Sequence, residues 1–553
     1  MINLQHLTNE VTSNPALLIS SVVILSWLSS TSQTNPPYSQ LLTYPLTTLT
    51  YNLLFHPLRH TPGPLLSRAS ALPWAIRHAL GTSAFHTHHL HTRYGPVVRI
   101  APNHLSFTAP RAWRDIYGSL PRDSGSSGSG GSGGSGGKSG YTSVWPEVPK
   151  SKTFTSATDD QEESIVQADF HEHARLRRAL APGFSDAALR VQEPLLRRYV
   201  EVLVGRIGER CGGGGGGGGD GMKGEGVVMD MEKWYNWTTF DIAGDLVFGR
   251  AFGCLEREAY HPWIAFLMGT LKAAAGMVSV IYLGGRWLVR ILFKTVGQKS
   301  MLALREMTEE MVSHRLAMEK GRDDLFEGLV KHREEWNLSF EKFSTNGLVL
   351  TLAGSETLAT TLCGTTYLLL KNPKTIDRLS QEVRAAFSNT DEITVKAVSQ
   401  LPYLTAVINE SLRMYPPVAA DLIRVIPPEG KNIAGHYVAG GTFVEVQPWS
   451  INHSPDNWVE PWTFNPDRFL PGEDEAKEAG NILEASQPFS WGPRNCLGRN
   501  LAYAGLRLIL ARIIFYFDMK LAGDSGDWIG RQKTFPLWAR LPLNVHFTPV
   551  KRG

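Results

Sequence analysis

The chain has 553 residues, of which 42% are apolar and 19% charged, with a net charge of +3 at pH 7. That balance supports a large core and gives too little positive charge, with no zinc or helix-turn-helix signature, for nucleic acid as a partner. Four cysteines (Cys211, Cys254, Cys363, Cys496) lie far apart with no CxxC pair, which excludes a zinc ribbon or a cysteine-held iron–sulfur cluster, suggests no disulfide framework, and fits a reducing compartment.

Residues 11–55 contain no Asp, Glu, Lys or Arg. The uncharged span Val11–Ser30, most apolar over Pro15–Leu28, has the roughly 20 residues that cross a bilayer. A membrane anchor is therefore expected within 1–55, and a cleaved signal peptide would need a basic n-region that is missing. Arg59, Arg68 and Arg77 follow the span and Glu10 precedes it, so the positive-inside rule places residues 56–553 in the cytosol. Leu41–Phe55, with its Thr, Tyr and Pro45, reads as a second segment lying in the membrane interface.

His56-Pro57-Leu58 and Thr61-Pro62-Gly63-Pro64 form a stiff hinge, because proline fixes φ and removes a donor. Tyr94-Gly-Pro-Val-Val-Arg99-Ile-Ala-Pro-Asn103 puts a turn beside β-branched residues, which predicts a hairpin. The Ser/Gly stretch 124–140 and the eight glycines 212–219 have no apolar surface to offset ordering entropy. They read as insertions in surface loops, cheap in loop-closure entropy, inside one body rather than between domains.

Ala187–Arg206 has leucines and valines at helical spacing. Leu348–Leu370 is apolar almost all round, which predicts a buried central helix. Short strands are expected at Tyr437–Val446 and Leu543–Phe547. The fold class is mainly α with a small β part.

The chemistry-bearing residues come in five groups. Phe170-His-Glu-His173-Ala-Arg-Leu-Arg177-Arg178 opens a helix and offers ring and guanidinium donors. The central helix contains Ala353-Gly354-Ser355-Glu356-Thr357, where an interior glycine costs roughly 1 kcal/mol against alanine. Glu410 and Arg413 share a helix face, just before Pro416-Pro417, with Phe464-Asn-Pro-Asp-Arg468-Phe469 downstream. Arg424 sits in a short apolar run. Last comes Phe489-Ser-Trp-Gly492-Pro-Arg494-Asn-Cys496-Leu-Gly498, followed at once by an apolar segment.

A single cysteine in a glycine-punctuated loop at the start of a buried helix is how a protein offers a thiolate to haem iron. Glycine lets backbone amides approach the sulfur, the helix N-terminus favours its negative charge, and Arg494 is placed to meet a haem propionate. A buried structural cysteine is the ordinary alternative for an isolated Cys.

Taken together, these motifs resemble the cytochrome P450 monooxygenases from about residue 50 to residue 550. The stretches Tyr94–Phe107 and Trp234–Gly249 are similar to the fungal secondary-metabolism branch, of the isotrichodermin hydroxylase type. The resemblance implies haem b with Cys496 as the iron ligand, and Phe489, Gly498, Arg494, His173, Arg177 and Arg424 around it. His173 stands where the family commonly has Trp. Gly354 would leave room for dioxygen while a local helix distortion turns the Thr357 hydroxyl inward, with Glu356 supplying protons; the bland alternative is a threonine bonded back to its own helix. Glu410, Arg413 and Arg468 would form a buried structural triad. Ala439-Gly440-Gly441-Thr442 departs from the family, which usually has proline before Gly-Thr.

The implied partners are dioxygen, a lipophilic small molecule, the endoplasmic reticulum membrane and a separate NADPH-cytochrome P450 reductase, with Arg175, Arg178 and Arg499 as a basic docking face. Two other functions stay open at this point: a haem-thiolate isomerase or dehydratase that does not use dioxygen, and a catalytically silent haem-binding membrane protein.

Overall fold

The structure, a computed structural model, describes residues 38–119, 147–155, 162–212, 227–292, 298–318, 321–420, 422–470 and 472–550. The expected span Val11–Ser30, the Ser/Gly stretch 124–140 and the glycine run beyond Gly212 lie outside them.

The described chain opens with helix α1 (Tyr38–Leu54), which contains Pro45 and is tied to α2 (Leu65–Ala69) by the Asn52 amide donating to the Ala69 carbonyl at 2.8 Å. After α3 (Leu72–Ala79), the expected hairpin forms as β1 (Val97–Ala101) and β2 (His104–Phe107), paired antiparallel with Val97 opposite Phe107.

The body is helical. Helix α4 (Phe170–Leu180) starts where the Asp169 side chain accepts from the Glu172 amide, the usual way an orphan donor of a first turn is satisfied. Helix α5 (Asp186–Gly212) runs through Pro194 and extends the expected Ala187–Arg206 at both ends. Then come β3 (Val227–Asp230), α6 (Met231–Phe248) and α7 (Pro262–Tyr282). Helix α8 (Phe340–Lys371), capped by Ser339, is the central helix and lies against α6. Its approach is set by glycines: a Cβ on Gly364 would stand 2.3 Å from the Tyr415 ring, and one on Gly347 2.8 Å from Phe248.

Helix α9 (Pro402–Met414) ends before Pro416-Pro417. The expected strand Tyr437–Val446 is instead two, His436–Val438 and Phe443–Val446. Gly441 turns between them at φ +77°, and a Cβ on Gly440 would meet the Pro428 carbonyl oxygen at 2.4 Å, so the two glycines make the turn without the usual proline. The second of these strands joins β1 and β2 in a four-stranded sheet, parallel to β2, with Arg424–Val425 on its far edge. Helix α10 (Arg499–Tyr516) leads into Phe517–Leu521, which with β3 and Asn544–Pro549 makes a three-stranded sheet. One continuous apolar core links α5, α6, α8, α9 and α10, and a mainly α fold with small sheets results.

Candidate functional site

The loop before α10 is closed on itself. The Cys496 amide donates to the Phe489 carbonyl at 2.8 Å, and Gly492 takes φ +76°. A Cβ on Gly492 would lie 2.0 Å from the Tyr117 carbonyl oxygen, so no other residue fits where the loop crosses that segment. Gly498 caps α10. Cys496 is accessible, yet protein mass surrounds it: burial pushes its thiol up, while the Gly498 amide and the Arg177 and Arg499 guanidinium groups pull it down. Those are the groups that favour a thiolate.

Around the loop stands a concentration of positive charge. Arg177 donates to the Asn495 carbonyl at 2.7 Å and its side-chain oxygen at 2.6 Å. Arg494 donates to Glu147 at 2.6 Å and to the Ala168 carbonyl at 2.8 Å. Arg424 is buried, held to about 10 by desolvation, and stacks over Tyr117. Lys150, which the sequence reading did not single out, is driven down to about 7 by burial, Arg424 and Arg494. His173 is buried and falls to about 3 through burial and the field of Arg494, Lys150, Arg177 and Arg424. Glu147 is the carboxylate set against this group. Four basic side chains facing one carboxylate, on the side of an accessible thiol, suit a porphyrin that brings two carboxylates of its own. In this structure Arg494 and Arg177 spend their donors on protein acceptors, and His173 is a neutral ring.

The triad assembles as expected. Glu410 accepts from Arg413 at 2.7 and 2.8 Å and from Arg468 at 3.3 Å, with all three side chains buried. The Asn465 amide adds a bond of 2.9 Å to the same carboxylate. Arg413 also donates to the carbonyls of Asn452 and Pro461, and so fastens the segment that leads toward the cysteine loop.

The central helix departs from expectation in two ways. It runs without a break through 353–357, and the Thr357 hydroxyl donates to the Ala353 carbonyl at 2.7 Å. No distortion turns that hydroxyl inward, because an intact helix offers a nearby acceptor. Glu356 is fully buried and bonded to Arg540, Oε2 to Nη1 at 2.8 Å and Oε1 to Nη2 at 3.2 Å. Arg540 also reaches Thr360, Asn236 at 2.8 Å and Glu232 at 3.2 Å. Burial pushes the Glu232 carboxyl up, and Arg540 opposes it. Arg540 escaped the sequence reading because its partners lie 180 or more residues away.

Gly354 meets the expectation of open space: nothing lies within 4 Å of a Cβ built there, and Ala353 and Gly354 are both exposed. Gly505 of α10 lies against Leu358, its built Cβ 3.2 Å from a Leu358 methyl. This contact brings the 353–357 turn alongside the helix that begins just after Cys496. Of the expected basic face, Arg178 and Arg499 are exposed, whereas Arg175 pairs with Glu172 at 2.7 Å and covers the Trp336 ring.

Residues 146–539 match the family described as Cytochrome P450. Cytochrome P450 monooxygenase tpeC of Talaromyces stipitatus is 41% identical over 91% of this chain and 92% of its own length. Averantin hydroxylase of Dothistroma septosporum is 38% identical, over 92% of this chain and 90% of its own length. Trichothecene C-15 hydroxylase of Fusarium sporotrichioides is 36% identical, over 92% and 96%.

Proposed function

From the premise that this chain belongs to the cytochrome P450 family, we propose that it hydroxylates or otherwise oxidises a lipophilic small molecule of fungal secondary metabolism, with Cys496 as the iron ligand. The chain is an oxygen-incorporating monooxygenase of that family, with haem b as its cofactor. Thiolate-ligated haem, when bound, supplies the cleavage of dioxygen and the oxidation of substrate.

The chain's own residues do the rest. The closed 489–498 loop holds Cys496 at the head of α10, and Gly498 and Arg177 stabilise its sulfur. Lys150, Arg177, Arg424 and Arg494 are the groups that would hold the cofactor carboxylates. The face at Ala353–Gly354 leaves room for dioxygen beside a lipophilic substrate; Thr357 handles protons there once its hydroxyl leaves the Ala353 carbonyl, with Glu356 held behind it by Arg540. The substrate class rests on the named relatives and on the mostly apolar stretches Trp263–Leu288 and 418–422.

Electrons would come from NADPH through a separate reductase docking near Arg178 and Arg499. The catalytic body would sit on the cytosolic side of the endoplasmic reticulum. The surface after α7, with exposed Leu283, Trp287, Leu288, Ile291 and Leu292, supports contact with a membrane. An apolar face of that kind suits a membrane surface.

The observation that carries the reading is the accessible Cys496 in its closed loop beside Arg177, Arg424, Arg494 and Lys150. Its test is incubation with reductase, NADPH and labelled dioxygen: one labelled oxygen atom in the product supports it, and conversion without oxygen consumption overturns it.

A further inference from the structure

Residues 11–114 contain no Asp or Glu, yet they hold seven arginines. Two of these converge beneath the proline-rich connector. The Arg99 amide donates to the Pro62 carbonyl at 2.7 Å, and its Nε to the Pro102 carbonyl at 2.8 Å. Arg99 is 0% exposed, and both its Nη atoms are buried without a hydrogen-bond partner among the described residues. Arg68 gives one Nη to the Arg59 carbonyl at 2.6 Å, while its buried Nε has no partner.

The charge here is felt by its neighbours. Burial and the Arg68 charge bring Arg99 down to about 10, and burial and the Arg99 charge bring His56 down to about 4. A buried cation without a counter-charge is expensive and is normally paired. Beside the two arginines, Leu54, Phe55, Leu65 and Leu66 are 60–74% exposed. The surface therefore joins unmet donors to apolar side chains.

We propose that Arg99 and Arg68 form the phosphate site of an anionic glycerophospholipid, whose acyl chains lie over Leu54, Phe55, Leu65 and Leu66. Phosphate oxygens supply the acceptors these guanidinium groups lack, as Arg–phosphate pairing requires. The Nη atoms are closed to water, so the 56–64 connector must yield for the headgroup to enter, and the pair then forms where screening is weak. The site uses none of the catalytic residues; it rests on the membrane placement only for its natural source of lipid.

The test uses the full-length haem-loaded protein in non-ionic detergent, titrated separately with dioctanoyl phosphatidic acid, dioctanoyl phosphatidylcholine and inorganic phosphate. Melting temperature is the readout. These lipids are soluble, so a chain that never meets a membrane would still respond, and failure of the membrane placement would show separately in cell fractionation. The expected result is saturable stabilisation by phosphatidic acid, with a half-saturating concentration about tenfold below that of phosphatidylcholine. Arg99→Met should lose the response to phosphatidic acid, because it removes the two Nη atoms that have no partner. Equal responses to the two lipids, or a response to inorganic phosphate as strong as that to phosphatidic acid, would overturn the lipid assignment. An Arg99→Met chain that keeps the parent's response to phosphatidic acid overturns the site itself. An unchanged response in Arg68→Gln counts the same way.

Discussion

Arg540 holds both carboxylate oxygens of Glu356, at 2.8 and 3.2 Å, and both side chains are shut from solvent. Breaking a buried pair from one side strands the other charge. Arg540→Met should therefore cost about 3–5 kcal/mol, read from denaturant unfolding. Glu356→Gln should cost less, about 1–2 kcal/mol, since Arg540 keeps Glu232, Asn236 and Thr360 as acceptors. An Arg540→Met protein as stable as the parent would show that Glu356 is not pinned.

Cys496→Ser should remove the red-shifted Soret band of the reduced carbon-monoxide complex, which thiolate ligation produces. Persistence of the band would place the ligand elsewhere.

Thr357→Ala tests oxygen activation. Loss of a group that handles protons typically slows that transfer on the order of 100-fold. NADPH consumption should continue while hydrogen peroxide replaces product. The ion pair with Arg540 makes Glu356→Gln the companion variant: if coupling stays at the parent's level, Glu356 serves the fold and protons reach Thr357 by another path. Unchanged coupling in Thr357→Ala itself would show that its hydroxyl stays on the Ala353 carbonyl and takes no part in proton delivery.

Glu410→Ala should cost about 3–5 kcal/mol, because it leaves two buried arginines facing each other. Haem retention during thermal unfolding measures it, and the variant should release haem at a lower temperature than the parent.

Acid stability should reflect His91. Its ring is buried between the Gly95 carbonyl at 2.9 Å and the Ser106 hydroxyl at 2.8 Å, and burial lowers it to about 4. Between pH 6.5 and about 4 the unfolded chain takes up a proton that the folded chain refuses. Stability is thus fully present above 6.5 and falls as the pH drops toward 4. Replacing His91 with Gln should flatten that part of the stability profile, measured as melting temperature against pH.

Local patterns made some of this visible in the sequence and hid the rest. Glu410 and Arg413 could be paired because three residues along a helix fix which side chains meet. The loop 489–498 could be read because its glycines, arginine and cysteine are contiguous. The helix Phe340–Lys371 was foreseen in its apolar middle, Leu348–Leu370, but not in its polar first turns, where Ser339 caps it and periodicity is silent. Glu147 meets Arg494 across 347 residues and Glu356 meets Arg540 across 184, and no spacing announces such pairs. The Thr357 hydroxyl fell to the closest acceptor, a competition between backbone and pocket that composition cannot decide.

The two glycines Gly354 and Gly364 look alike on paper, ten positions apart on one helix, and a protein engineer would treat them in opposite ways. An alanine at 364 would collide with the Tyr415 ring, so that position belongs outside any library. An alanine at 354 meets no atom and should strengthen the helix by roughly 1 kcal/mol, while its methyl group narrows the space kept for reactants. Position 354 is thus a place where selectivity can be retuned without endangering the scaffold, and a library of small residues there is the economical first round.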